Sequence, residues 1–267
     1  MQVSRSAFYE WEGKARWEKS PALMAMEAEA IRVFSEHKQT LGSRRLKQKL
    51  NEAGFRMGRF KTRRLMASLS LNARYPKRYR VTTDSQHDSR IAPNLLARAF
   101  TVSAPDKVWT TDITYIRTYQ GWHYLAIVMD LYSRRIVGWA LAGHMKTALC
   151  VTALQMAYWR RKPDKGLMHH SDPGSQYTSA QYAQHLNLMG MQVSHSGKGQ
   201  CWDNAPTERF FRSLKYEYLE YETLRTGSDA RLAILDYLAY YNSKRPHTVL
   251  GYLSPMEYEH LSSVKVA

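Results

Sequence analysis

A chain of 267 residues, 44% of them hydrophobic, is long enough for one large domain or two modest ones and apolar enough for a packed core, which argues against wholesale disorder. It holds no run of about 18 apolar residues that could span a membrane, no signal-peptide apolar stretch near its start, and two cysteines, Cys150 and Cys201, without metal-ligand or disulfide-framework spacing, so a reducing cytoplasm is the simplest setting. The formal net charge of +16 is uneven: residues 1–100 carry 21 Lys and Arg against 9 Asp and Glu, and residues 101–267 carry 18 against 14. One part of the chain therefore suits a polyanion, and the other part suits a different task.

Residues 1–73 form the basic helical region. Residues 4–17 predict a short helix, with Ser4 or Ser6 as its cap. Residues 21–39 predict a second helix, with Leu23, Met26, Ala30, Ile31 and Phe34 along one stripe. Residues 41–71 predict two short helices around a glycine turn at Gly54, the pattern of a helix-turn-helix. This stretch carries Arg44, Arg45, Lys47, Lys49, Arg56, Arg59, Lys61, Arg63 and Arg64 against the single acid Glu52. Each cation can neutralise a phosphate and release counterions, so DNA contact is expected at Arg44, Arg45, Lys47, Arg59, Lys61, Arg63 and Arg64; a solvated helical hairpin is the alternative. Residues 74–103, polar and basic at first, predict a linker that could lie along nucleic acid.

The chain changes character near Ala104. Strands are predicted over 107–117, 121–132 and 135–141, a helix over 147–161, a short strand over 166–170, a helix over 179–189, a strand over 192–195, and helices over 205–220 and 229–242. The order β-β-β-α-β-α-β-α predicts an α/β fold, a ribonuclease-H-like mixed sheet flanked by helices, over 104–225. Residues 226–267 would add a C-terminal helix and a tail packed on that core.

Three carboxylates in this pattern invite chemistry. Asp112 sits mid-strand, where Asp is poorly suited and where a buried charge without a partner is costly. Asp172 follows the fourth strand, which Pro173 and Gly174 end, and Glu208 lies one turn into a helix. Any one of them could be a local cap or ion pair. In this topology, however, the strand, the turn and the helix converge. Hard oxygen ligands select Mg²⁺ or Mn²⁺, and two such ions can hold the attacking and leaving oxygens of an in-line phosphoryl displacement.

The spacing of these acids, 60 residues from Asp112 to Asp172 and 35 residues between Asp172 and Glu208, resembles the D,D(35)E signature of retroviral-type integrases and insertion-sequence transposases. The words WTTDITYI, HSDPGSQYTS, CWDNAPTERFF and YNSKRPHTVLGYLSPMEYE look like the integrase-core (DDE) transposases of the IS-three family, and the basic LGSRRLKQKL segment matches the helix-turn-helix that commonly precedes that core. The resemblance implies a DNA transposase that cleaves 3′ ends and transfers strands, with Asp112, Asp172 and Glu208 on two Mg²⁺ or Mn²⁺ ions. It implies that Lys215 contacts element-end DNA and that Gly197-Lys198-Gly199 is an active-site loop with Lys198 at phosphate. Asn204 and Arg212, one turn either side of Glu208, would support the acids or contact phosphate. Ser175, Gln176 and Tyr177 would line the DNA channel. Arg245 and His247 could contact DNA or belong to a structural clasp. The stripe Phe210, Phe211, Leu214 and Tyr218 would be core, and His169 and His170 packing residues. The resemblance also implies a second-reading-frame product, working as a homo-oligomer on DNA and with an upstream-frame protein that supplies end recognition. A non-catalytic DNA-binding regulator and a nuclease that never joins ends are the rival readings.

Overall fold

The computed structural model describes residues 4–12, 19–74, 91–197 and 200–264. The chain divides into two compact units, Met1–Ala73 and Arg74–Ala267. None of the described helices is long and apolar enough to cross a membrane.

The first unit is helical: α1 (Arg5–Glu12), α2 (Pro21–Glu36), α3 (Ser43–Glu52) and α4 (Arg59–Ser68). Helix α2 starts where Ser20 Oγ accepts the Leu23 N–H and Pro21 supplies a fixed φ. It stops three residues short of the predicted end because Lys38 and Gln39 adopt left-handed backbone at φ 53° and 58°. Between α3 and α4, Gly54 takes φ 92°, and the Asn51 side chain accepts the Met57 N–H at 2.8 Å, fixing the turn. Met26, Ala30, Val33, Phe34, Leu46, Leu50 and Leu65 form its core.

The second unit is built on a five-stranded sheet of order β3-β2-β1-β4-β5. Its strands are β1 (Val108–Thr118), β2 (Gly121–Asp130), β3 (Ile136–Ala142), β4 (Met168–Ser171) and β5 (Gln192–His195). The first three pair antiparallel; β4 joins β1, and β5 joins β4, in parallel. The parallel pairs are bridged by α5 (Thr147–Arg161) and α6 (Ala180–Leu188), as crossovers require. This is the ribonuclease-H-like mixed sheet that the element order predicts. Trp109, Ala126 and Val128 pack with α5 and α6 on one face, while Ile116, Leu125, Ile127 and Met129 pack with α7 (Ala205–Ser213) and α8 (Gly227–Ser243) on the other. Gly138 of β3 lies under α5, where a Cβ would sit 2.2 Å from the Ala153 carbonyl oxygen, so only glycine lets the helix approach this closely.

Two elements differ from their predicted form. The helix expected over 205–220 is α-helical only to Ser213; it continues as a π-helical turn, Leu214–Tyr218, and a 3-10 turn, Leu219–Tyr221. The C-terminal tail contains a further helix, α9 (Pro255–Val264), capped by the Ser254 and Glu257 pair. Glu259 of α9 accepts from Ser133, Arg135 and Arg161, with distances from 2.6 to 3.2 Å. Part of the stretch read as linker is also fixed: Ala92 N–H donates to His195 Nδ1, and Leu95 N–H to Ser194 Oγ, both at 3.0 Å.

The same ionic group holds Asp130 at the end of β2. Its carboxylate accepts the N–H groups of Asp106 and Tyr132 at 2.6 and 2.8 Å. Burial, with the Asp106 and Glu259 charges beside it, pushes the Asp130 carboxyl up to about 7, against the Asp106 N–H and Arg161. The folded protein then keeps a proton here that the unfolded chain releases near pH 4. This group's contribution to stability is complete below that pH and declines as pH rises toward 7. Thermal unfolding across pH 4–8 should show that Asp130→Asn flattens this decline; an unchanged pH profile would contradict it.

Candidate active site

Asp112 lies mid-way along β1, opposite Ile127 of β2, and its Oδ1 accepts the Ile113 N–H at 2.7 Å. Asp172 follows β4 directly and accepts the Gly174 N–H at 3.3 Å. Because β4 runs parallel to the first part of β1, its carboxyl end brings Asp172 beside Asp112. Glu208 stands in the first turn of α7 with its side chain toward solvent.

Helix α7 is strapped to β1 just before this point. The hydroxyls of Thr110 and Thr207 meet at 2.9 Å, and Asn204 Nδ2 donates to the Thr111 carbonyl at 3.0 Å. The buried stripe of Phe210, Phe211, Leu214 and Tyr218 fastens the other side of the helix into the core.

The acids sense one another. Burial raises the Asp112 carboxyl well above the usual carboxylate range, and the charges of Asp172 and then Glu208 raise it further, against the Ile113 N–H and the Lys215 ammonium. Burial likewise raises Asp172 and Glu208. Among the described residues none of the three forms a salt bridge. Nor do any three His, Cys, Asp or Glu side chains among them form a ready-made metal cage. The arrangement is an open acidic site, not a closed one.

Lys215 falls within the π-helical turn, half-buried and close enough to Asp112 for their charges to interact; burial lowers its ammonium pKa while Asp112 opposes the shift. Glu217 and Arg245 hold that turn. Arg245 Nε and Nη2 donate to Glu217 at 2.9 and 2.8 Å, and Nη2 also donates to Ser213 Oγ at 3.1 Å. Both charged partners are buried, so Arg245 belongs to a clasp, the second of its two expected roles.

For Asn204 only the first of its two expected roles survives, and the expectation for Tyr177 is corrected. Asn204 is buried, donating to Thr111 and accepting from Thr207, so it braces β1 beside Asp112 and offers nothing to phosphate. Tyr177 is buried in the core, its hydroxyl 3.3 Å from that of Thr111, and lines no channel. Gln176 donates to the Met145 carbonyl at 3.0 Å. Arg212 is exposed one turn after Glu208, and Lys198 lies outside the described residues. Buried His169 and His170 are pushed down to about 3 and about 4, first by burial, and stay neutral braces of β4. In the first unit Arg44, Arg59, Lys61, Arg63 and Arg64 are exposed, while Arg45 and Lys47 are half-buried.

Asp203 went unassigned in the sequence, although it stands in the CWDNAPTERFF word. It is buried and accepts from Asn94, Arg98 and Gly197 N–H at 2.8, 2.6 and 3.1 Å, pinning one end of the 197–200 loop. Burial would raise its carboxyl, but the Arg98 and Gly197 hydrogen bonds hold it below the usual range.

Family models described as integrase core domain match residues 102–201 and 189–255, and one described as HTH-like domain matches residues 24–79. The insertion element IS600 uncharacterized 31 kDa protein of Shigella sonnei is 38% identical over 257 residues, covering 95% of this chain and 93% of that one. Transposase InsF for insertion sequence IS3A of Escherichia coli (strain K12) is 35% identical over 265 residues, covering 97% and 91%. The chain belongs to the IS3 family of transposases. It is thus an insertion-sequence transposase with an integrase core, a polynucleotidyl transferase by family. A chain of the simian T-cell lymphotropic virus intasome in complex with PP2A regulatory subunit B56 gamma shares the fold, with a TM-score of 0.50 at 13% identity over 80% of this chain and 70% of that one.

The clasp gives this transposase a measurable weak point. Removing one partner of a buried ion pair leaves the other charge uncompensated, at about 3–5 kcal/mol. Arg245→Ala should lose that much in denaturant unfolding, and the Arg245→Met, Glu217→Met pair should lose far less. Equal losses in the two variants would show that the pair does not hold the turn.

Proposed function

We propose that the transposase catalyses cleavage at the 3′ ends of its insertion sequence and transfer of those ends to target DNA, with Asp112, Asp172 and Glu208 as its catalytic acids. The observation that supports this reading is that Asp172, from the turn after β4, and Glu208, from α7, both lie near enough to Asp112 of β1 for their charges to act on it, with no salt bridge to any of the three among the described residues.

The donor set fits divalent cations. All three side chains offer hard oxygen, and Mg²⁺ is commonly held by one or two carboxylates completed by water and substrate phosphate, which suits an open acidic site. Asp112, Asp172 and Glu208 would hold Mg²⁺ or Mn²⁺, two ions if both reacting oxygens are bound. Such ions neutralise phosphate charge and sharpen an oxygen nucleophile.

The chain's own residues do the rest by placement and charge. The Thr110–Thr207 and Asn204–Thr111 contacts fix Glu208 against Asp112. Lys215, drawn toward Asp112, offers an ammonium to the strand being cut. Arg212, exposed on α7, and Lys198 are proposed phosphate contacts. In the first step water attacks the phosphodiester at the element end, one P–O bond forming as the other breaks, and leaves a 3′-hydroxyl. In the second that hydroxyl attacks a target phosphodiester in the same way.

The proposal divides labour along the chain. Residues 1–73 hold DNA through Arg44, Arg45, Lys47, Arg59, Lys61, Arg63 and Arg64, residues 74–103 connect, residues 104–225 catalyse, and residues 226–267 brace them. It includes assembly as a homo-oligomer on bacterial DNA in the cytoplasm, and action together with an upstream-frame protein; the latter rests on motif resemblance alone.

Asp112→Asn, Asp172→Asn and Glu208→Gln should each lower joining of a pre-cut end oligonucleotide by roughly 10²–10³-fold or more, with DNA affinity retained. Mn²⁺ should raise the Tm of the parent protein and not that of Asp112→Asn. Parent-level joining by any of these variants would end the assignment, and cutting without joining would make the chain a nuclease.

A further inference from the structure

Helix α4 presents an outward face that no described residue of its own unit covers. Thr62 and Leu65 turn inward and are buried. On the opposite side stand Phe60, Arg63, Arg64 and Ala67, spaced as one helical stripe, and all four are exposed. Phe60 is 78% exposed, although burying such a side chain is worth about 2 kcal/mol. Arg56, Arg59 and Lys61 surround it, all exposed, and the nearby acid Glu52 is already paired with Lys49 at 2.9 Å. Among the described residues Arg56, Arg59, Lys61, Arg63 and Arg64 form no salt bridge.

A ring in a field of positive charge suits a partner that is anionic outside and apolar within. Duplex DNA has that chemistry. A ten-residue helix, about 15 Å long, fits the major groove, where phosphates line the rims and the thymine methyl is the apolar feature of the base edges. Helix α4 also follows α3 across the Gly54 turn, within the region matched by the HTH-like model.

We propose that α4 is a sequence-reading helix and that Phe60 specifies thymine by packing on its 5-methyl group. Arg63 and Arg64, one turn along the stripe, take the neighbouring base edges, and Arg59 and Lys61, to either side, take phosphates. This rests on the reading that the chain acts on DNA, and it adds a specificity residue that carries no charge and so escapes any count of basic side chains.

The test uses the full-length chain carrying Asp112→Asn, so that no DNA is cut. Duplexes are selected from a random pool, and each thymine of the selected sequence is replaced in turn by deoxyuridine, which lacks only the methyl group. The protein should lose affinity about three- to tenfold at one position. Phe60→Ala should bind thymine and deoxyuridine equally there, with an unchanged dependence on salt, and Phe60→Leu should keep part of the preference. Arg59→Ala and Lys61→Ala should each reduce the salt dependence and leave the preference intact. Failure to enrich any sequence, or a thymine preference that survives in Phe60→Ala, overturns the proposal. The catalytic reading stands apart from it, because joining of a pre-cut end by the protein with Asp112 intact is measured separately.

Discussion

Like charges repel, and the second unit nevertheless brings the charges of Asp172 and Glu208 to bear on Asp112. Asp112 is fixed by the strand it belongs to, and Asp172 is delivered by parallel pairing of β4 with β1. Glu208 alone depends on a separate element, and that element is fastened by two side-chain straps to β1, by a buried aromatic stripe packed into the core, and by a π-helical turn that Arg245 grips at its end.

Two buried ionic devices divide the work of tying the tail to the sheet. The Arg245–Glu217 pair is a single two-pronged contact serving the π-helical turn. The group of Asp106, Asp130, Arg135, Arg161 and Glu259 is a network in which Arg161 is shared among the three acids and Arg135 joins at Glu259, and it fixes the carboxyl end of β2 to α9. The first supports the helix that carries Glu208; the second supports the frame on which β1 is laid.

Much of this architecture could be read in advance, because its signals are local. Alternating β-branched and aromatic residues mark β1, an apolar stripe marks α5, and Pro173-Gly174 mark the turn after β4. The break in the helix after Ser213 could not be read, since the apolar spacing of Phe210, Phe211, Leu214 and Tyr218 runs through it; the partner that holds the turn, Arg245, is distant in sequence. Asn204 and Asp203 were polar residues beside a candidate acid, and only the fold shows that both spend their hydrogen bonds inside the protein. Helix α9 was not expected from the sequence, although Ser254-Pro255-Met256-Glu257 carries its signal: a capping residue, a proline at the first position and an acid to close the box.

The Arg245 clasp has a bearing on how the protein comes off the ribosome. A nascent chain that has emerged only as far as Lys244 already contains Asp112, Asp172 and Glu208, yet Glu217 would be buried without its counter-charge and the turn bearing Lys215 would lack its anchor. The turn that follows α7 thus cannot be fastened until Arg245 has left the ribosome. Shortened products that stop before Arg245 would carry the acids without the means to hold them in order.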